Sequence, residues 1–253
     1  TVPFLLNNIY LGEFCEKTDF DFKKVDEKTY IVFNLESLRH MGLNWNDEKL
    51  KTAFFIRKNL KNNFQMEFVC GLIGNIVNEG EFGHFESSNY KKNPNAKPSY
   101  LKHMDDNHNY SNLVSGKKIY NLKQGIGIFD ILIDCGSVNH KFGFGCVQWT
   151  GGNRQKNLIY KYKELGNIKP SFNQCANIET EYIKFEFEGD YKYIYNYWKD
   201  NNMNNDSEKK VINASNIICE EYERPSYYQK QEKLNTRRKS SLEWFNIVEK
   251  GSI

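Results

Sequence analysis

Between residues 66 and 79, apolar side chains recur at Met66, Val69, Leu72, Ile73, Ile76 and Val77. Spacings of three and four put them on one stripe of a helix, and a stripe this apolar has to be covered. The rest of the chain must therefore supply elements that pack around this helix. The stripe ends at Asn78-Glu79-Gly80, where a glycine suits a left-handed helix stop. Glu79 then falls at the rim of a core. Low dielectric and the negative end of the helix dipole both disfavour its charged form. Both raise its affinity for a proton, as a general acid working near neutral pH requires. On this pattern alone, a solvated surface glutamate is the commoner outcome.

The flanking segments read mostly as helix. Asn46-Asp47 is suited to cap a helix carrying Leu50, Ala53, Phe54, Arg57 and Leu60, closed by Asn62-Asn63. Residues 87–118 are polar, rich in Asn and Lys and broken by Pro94 and Pro98, which reads as loops. Residues 126–133 fit a helix or a buried strand equally well. A glycine-rich turn at 143–152 feeds a helical pattern at 158–165. Residues 175–198 read as helical, although 182–187 alternates like a strand. Two last helices are expected at 211–222 and 231–248, separated by Pro225. Residues 1–45 differ: Thr29 to Leu35 is rich in β-branched and aromatic residues, and Asp19-Phe20-Asp21-Phe22 alternates. The expected fold is mainly α with a short irregular or β middle, preceded by a small β-containing N-terminal segment. The expected division is an extension at 1–45, the end of a neighbouring domain, and a main domain at 46–253.

Composition removes several classes. A chain of 253 residues makes one large domain or a medium one with an attachment. Its formal charge of +3, from 35 basic and 32 acidic residues, is too balanced to argue for nucleic acid. No run approaches the roughly 20 apolar residues of a membrane helix. The start lacks the basic lead and apolar stretch of a signal peptide, and the missing Met suggests a processed or excised piece. The six cysteines form no Cys-x-x-Cys pair, and His84, His103, His108 and His140 lack ligand spacing, so no metal or other cofactor is expected. Disulfides stay possible, but contexts such as Phe-Val-Cys70-Gly-Leu-Ile favour buried thiols. A nucleophilic thiolate at Cys70 or Cys146 is disfavoured, most clearly for Cys70 within the apolar stripe. The clusters Lys91-Lys92 and Arg237-Arg238-Lys239 read as solvated faces that can touch anionic polymers.

Three segments share one resemblance. Cys70-Gly-Leu-Ile-Gly-Asn-Ile-Val-Asn-Glu79 resembles the helix of phage-tail lysozyme-like proteins, in which a Gly-Asn pair precedes the catalytic glutamate. The run from Gly143 to Arg154, with Gln148-Trp149-Thr150-Gly151-Gly152, is similar to that family's Gly-x-x-Gln-Trp-Thr-Gly turn. Tyr222-Glu-Arg-Pro225 resembles a third element in its last helices. The three occur in order and cover about four fifths of the chain. Two departures stand out: Gly80 follows Glu79 where Ser is common, and Asn153 intervenes before Arg154.

The resemblance implies a lysozyme-like α+β domain with Glu79 as catalytic acid. It implies bacterial peptidoglycan as substrate, and action from a virion tail, or after release, on Gram-positive hosts, clostridia among them. Other tail proteins are then further partners, whereas nucleic acid and membrane are not. Cleavage of a glycosidic bond usually needs a second carboxylate. Glu81, Glu86, Asp105 and Asp106 are available, and Glu86 is preferred because Phe82-Gly83-His84-Phe85 can turn the chain back across a cleft. A single-glutamate lytic transglycosylase stays open. Gln148, Trp149 and Thr150, with Tyr90, are the expected sugar-binding residues. An amide bonds hydroxyl and N-acetyl groups, and an indole stacks on a pyranose face. The competing reading of Trp149 is a tight turn whose indole fills core.

Overall fold

The computed structural model describes residues 21–25, 28–32, 38, 42–84, 118–121, 143–150, 152–166, 169–225 and 230–250. Near the start, β1 (Asp21–Val25) and β2 (Lys28–Val32) form an antiparallel ribbon in which Asp21 faces Val32. The capping residue read from the sequence starts the next element. The Asn46 side chain accepts from Lys49 N at 2.9 Å, and α1 (Asp47–Leu60) follows, with acids in its first turn and bases in its last. Helix α2 (Met66–Glu79) carries the apolar stripe and is buried from Phe68 to Val77. The remaining long elements are α3 (Gly152–Lys163), α4 (Phe172–Glu188), α5 (Lys192–Asn201), α6 (Ser207–Ile217) and α7 (Lys230–Trp244). Each of the last two continues into a π-helical turn, Ile218–Glu223 after α6 and Phe245–Glu249 after α7. A short hairpin of β3 (Gly143–Phe144) and β4 (Trp149–Thr150) stands in the middle. The fold is mainly helical with little sheet, as expected.

The chain divides into two compact units, Thr1–Asn78 with Glu186–Ile253, and Glu79–Phe185. In the first, α2 approaches α6 and α7 closely because it carries glycine at the contacts. A Cβ on Gly71 would lie 2.6 Å from Ala214 Cβ, and one on Gly74 would lie 2.5 Å from Ser241 N. Asn75, fully buried between them, donates from Nδ2 to Gly71 O at 2.8 Å and to Ser215 O at 3.0 Å. A buried amide is tolerated only when bonded, and here it ties α2 to α6. The Gly-Asn pair of the resemblance thus has a physical task, allowing close approach and cross-linking what approaches. Beside it, Phe64, Phe68, Phe187, Tyr195, Trp198 and Tyr222 form one aromatic cluster.

Residues 182–187 are helix within α4, in keeping with the helical reading of 175–198 and despite their alternation: Tyr182, Ile183, Glu186 and Phe187 are buried, which is the spacing of one helical face. One sequence reading changes. Arg237 does not belong to a solvated basic face. It is 2% exposed and bonded through Nε to Glu223 Oε2 at 2.7 Å, while Lys239 beside it stays in solvent. Glu223 belongs to the Tyr222-Glu-Arg-Pro225 element, whose Tyr222 hydroxyl donates to Glu186 at 2.6 Å, so that element pins the last helices. Cys70, Cys146, Cys175 and Cys219 are buried free thiols. Residues 126–133, and 87–117 of the loop segment, lie outside the described residues. Among the described residues, no helix is long and apolar enough to cross a membrane.

Candidate active site

Glu79 is the last residue of α2 and is half-buried, at the edge of the core as its position after the stripe implies. The chain then passes through Gly80 without adopting the left-handed backbone expected there, since Gly80 is not among the positive-φ glycines. Glycine is required for another reason. A Cβ at Gly80 would lie 2.9 Å from Gly145 O, 3.0 Å from Cys146 O and 3.1 Å from Gln148 Cγ. The residue after Glu79 therefore rests directly on the Gln148 turn.

That turn closes the β3–β4 hairpin, with Gly143 opposite Thr150 and Phe144 opposite Trp149. Two of its residues are left-handed, Gly145 (φ 79) and Gln148 (φ 54). A non-glycine residue at positive φ is costly and persists only where its surroundings enforce it. Here the Gln148 side chain does so, donating from Nε2 to Gly145 O at 2.8 Å and to His84 O at 3.2 Å. His84 O also accepts from Gly145 N at 2.8 Å, so the segment after Glu79 is stitched to the turn. Thr150 is exposed, with its hydroxyl donating to Gln148 O. Trp149 departs from the sugar-stacking expectation. It is 2% exposed, its ring lies 5.4 Å from that of Tyr182, and its carbonyl accepts from Gln155 Nε2 at 2.8 Å. An indole so enclosed offers no face to a pyranose; it fills core beneath the turn and supports Gln148 and Thr150.

Residues 50–248 match the phage tail lysozyme family. The chain belongs to that family. No curated protein and no solved structure matches the chain. Membership brings a lysozyme-type activity directed at peptidoglycan in a phage-tail setting. Within the second unit, Gly80 joins two pieces of this phage tail lysozyme, Glu79 and the Gln148 turn. One brings a carboxyl group, the other an amide and a hydroxyl, to one region of the second unit.

The sequence reading missed a second glutamate in the same unit. Glu179 on α4 is completely buried, and its carboxylate accepts three hydrogen bonds. Gly83 N donates to Oε1 at 2.7 Å, Cys146 N to Oε2 at 2.7 Å, and the Tyr162 hydroxyl to Oε1 at 2.5 Å. Burial pushes its pKa up to about 7, against these three donors, which favour the ionised form. The same surroundings push the Tyr162 hydroxyl and the Cys175 thiol up. A signal was present: Glu179 falls at the buried-stripe spacing of α4, four after Cys175 and three before Tyr182. A charged residue on such a stripe needs dedicated partners.

Of the other carboxylates weighed from the sequence, Glu81 forms an ion pair with Lys118. Glu86, Tyr90, Asp105 and Asp106 lie outside the described residues. Burial holds the His84 imidazole below its ordinary value, which keeps it neutral beside the turn.

Proposed function

We propose that the protein is an N-acetylmuramidase that hydrolyses the β-1,4 bond between N-acetylmuramic acid and N-acetylglucosamine, opening the wall locally for a phage tail. The carrying observation is that Gly80, next to Glu79, packs against the Gln148 turn. In this reading Glu79 protonates the leaving glycosidic oxygen as general acid. Glu86 is the second carboxylate, activating water or attacking the anomeric carbon. Gln148 and Thr150 hydrogen-bond the sugar hydroxyl and N-acetyl groups, and Tyr90 adds an aromatic contact. Residues 1–45 form an N-terminal extension from a neighbouring tail domain, and 46–253 the catalytic domain.

A second reading is favoured by the state of the other carboxylates. Glu81 is paired with Lys118 and Glu179 is enclosed by three donors, so neither is suited to act on substrate. If Glu86 does not serve, Glu79 works alone and the sugar's own hydroxyl closes a 1,6-anhydro ring, the lytic transglycosylase outcome.

One experiment separates the readings. Purified Gram-positive walls are digested with the wild-type protein, Glu79→Gln and Glu86→Gln, and the muropeptides are identified by mass spectrometry. Reducing N-acetylmuramic acid ends, lost by about 10²–10⁴-fold in Glu79→Gln, support the muramidase. Anhydro ends with an active Glu86→Gln support the transglycosylase. Near-normal lysis by a folded Glu79→Gln protein overturns both, and no cleavage by the wild type leaves a wall-binding tail protein.

A further inference from the structure

The carboxylate of Glu179 joins three segments at one point. Oε1 takes Gly83 N–H, four residues after Glu79, while Oε2 takes Cys146 N–H, two residues before Gln148. The Tyr162 hydroxyl of α3 completes the set. Two backbone donors aimed at one side-chain group fix their segments more tightly than packing alone, because hydrogen bonds to an ionised acceptor are short and strong. Gly145 adds a steric constraint: a Cβ there would lie 3.0 Å from the Glu179 carboxyl carbon, so the carboxylate presses against the turn itself.

Resting on the lytic reading above, we propose that Glu179 is a positioning residue whose ionised carboxylate holds the segment after Glu79 and the Gln148 turn in working register. The ionised form accepts most strongly from all three donors, because its hydrogen bonds are charge-assisted and a proton occupies a lone pair of one oxygen. A proton on Glu179 removes its charge and takes up one of those lone pairs, which weakens its hold on the donors. The groups facing Glu179 are Tyr162 from α3, Cys175 from its own helix, Cys146 from the turn, and Tyr120 from the 3-10 turn Ile119–Asn121, with Glu81 acting on Tyr120. Among the described residues, no cation stands in that set. The proton equilibrium is therefore set by burial against three donors, and it falls at about 7.

The consequence for activity has a definite sign. Glu179 must lose its proton to position, so its titration closes the acid side of the pH profile.

The test follows the 15N–1H resonances of Gly83 and Cys146, together with wall-lysis rate, from pH 5 to 9 in the wild type, Glu179→Gln and Tyr162→Phe. Both amides are expected to titrate with one midpoint near pH 7 in the wild type, and the acid limb of lysis should share it. In Glu179→Gln, the common titration and that limb should both be gone, with lysis at pH 8 reduced about tenfold. Tyr162→Phe keeps the fold's shape and removes one donor to the ionised form, so both midpoints should move to higher pH. A merely structural role would not shift a midpoint. Amides that do not titrate together, or an acid limb unmoved in Tyr162→Phe, overturn the proposal. If the wild type cleaves nothing, the lytic reading fails by itself, and the amide titration still decides whether Glu179 holds both segments.

Discussion

Gly74 of α2 and Ser241 of α7 meet backbone to backbone. A Cβ at Gly74 would lie 2.5 Å from Ser241 N and 2.6 Å from Arg237 O, so neither helix can yield by turning a side chain aside. Gly74→Ala should force α2 and α7 apart and destabilise the protein by about 1–3 kcal/mol or more, the usual range for overpacking a filled core. Urea denaturation followed by far-UV circular dichroism measures it. Stability equal to the wild type would mean that the helices are not in close contact.

Asn75 gives a second test at the same contact. Its Nδ2 satisfies Gly71 O and Ser215 O inside the core. Asn75→Leu removes the bond that ties α2 to Ser215 O, leaving that carbonyl only the bond from Ile218 N, at a cost of about 0.5–1.5 kcal/mol. The Asn75 side chain bonds Gly71 O and Ser215 O, away from the Gln148 turn, so lysis per folded molecule should stay near normal. A loss of lysis without a loss of stability would contradict this.

Gly80→Ala should behave in the opposite way. Its new methyl group would meet Gly145 O at 2.9 Å and Cys146 O at 3.0 Å, pushing the turn away from the end of α2. The displacement is a few tenths of an ångström at the rim, so the melting temperature should change little. Lysis should fall by about tenfold or more, since misplacement of about 1 Å can cost about 10²-fold. Unchanged lysis would show that the contact between Gly80 and the turn does not position the site.

What could be read in the sequence follows from periodicity. The stripe of α2, the Asn46 cap and the place of Glu79 at a core rim all follow from local pattern, and each stands in the structure. The fate of Trp149 does not, because whether an indole faces solvent or core depends on Tyr182, 33 positions away. Gly80 illustrates the same limit: its residue type was legible as special, but the reason lies in Gly145 and Cys146 rather than in its own φ. Glu179 was missed although 175–198 read as helical, because one acid among the polar residues between Cys175 and Tyr182 reads as solvated. On α4 it shares the buried face of Cys175 and Tyr182. Arg237 was hidden by its neighbours Arg238 and Lys239, since a run of bases reads as solvated even when one member turns inward.

The buried pair of Arg237 and Glu223 makes a prediction that separates breaking a pair from replacing it. Their side chains are 2% and 3% exposed. Arg237→Met leaves the Glu223 carboxylate buried without its cation, which should cost about 3–5 kcal/mol. The double variant Arg237→Met with Glu223→Leu should recover much of that loss, because well-packed apolar side chains replace a buried pair at little net cost. Thermal denaturation of the three proteins checks both halves. A double variant no better than Arg237→Met would mean that the arginine matters for packing rather than charge.

The last prediction concerns stability against pH, where the elevated Glu179 has a sign opposite to most carboxylates. Its unfolded value is 4.5 and its folded value about 7. Between these two, the native state binds the proton more tightly than the unfolded chain, so stability is greatest below 4.5 and falls as pH rises toward 7. Above 7 the decline is complete, and the displacement is worth roughly 3 kcal/mol at 1.36 kcal/mol per pH unit. Ordinary paired carboxylates change stability the other way over acid pH, so the effect must be read as a difference. Urea unfolding of the wild type and of Glu179→Gln at pH 5, 6, 7 and 8 supplies it, because the amide does not titrate. The wild type should lose stability relative to the variant from pH 5 to 7 and then run parallel. A difference constant across the four pH values would show that Glu179 does not carry the elevated proton. The expected outcome means that near pH 8 the protein keeps a charged, three-bonded carboxylate in its core at a cost in stability, in the protonation state whose bonds to both segments are strongest.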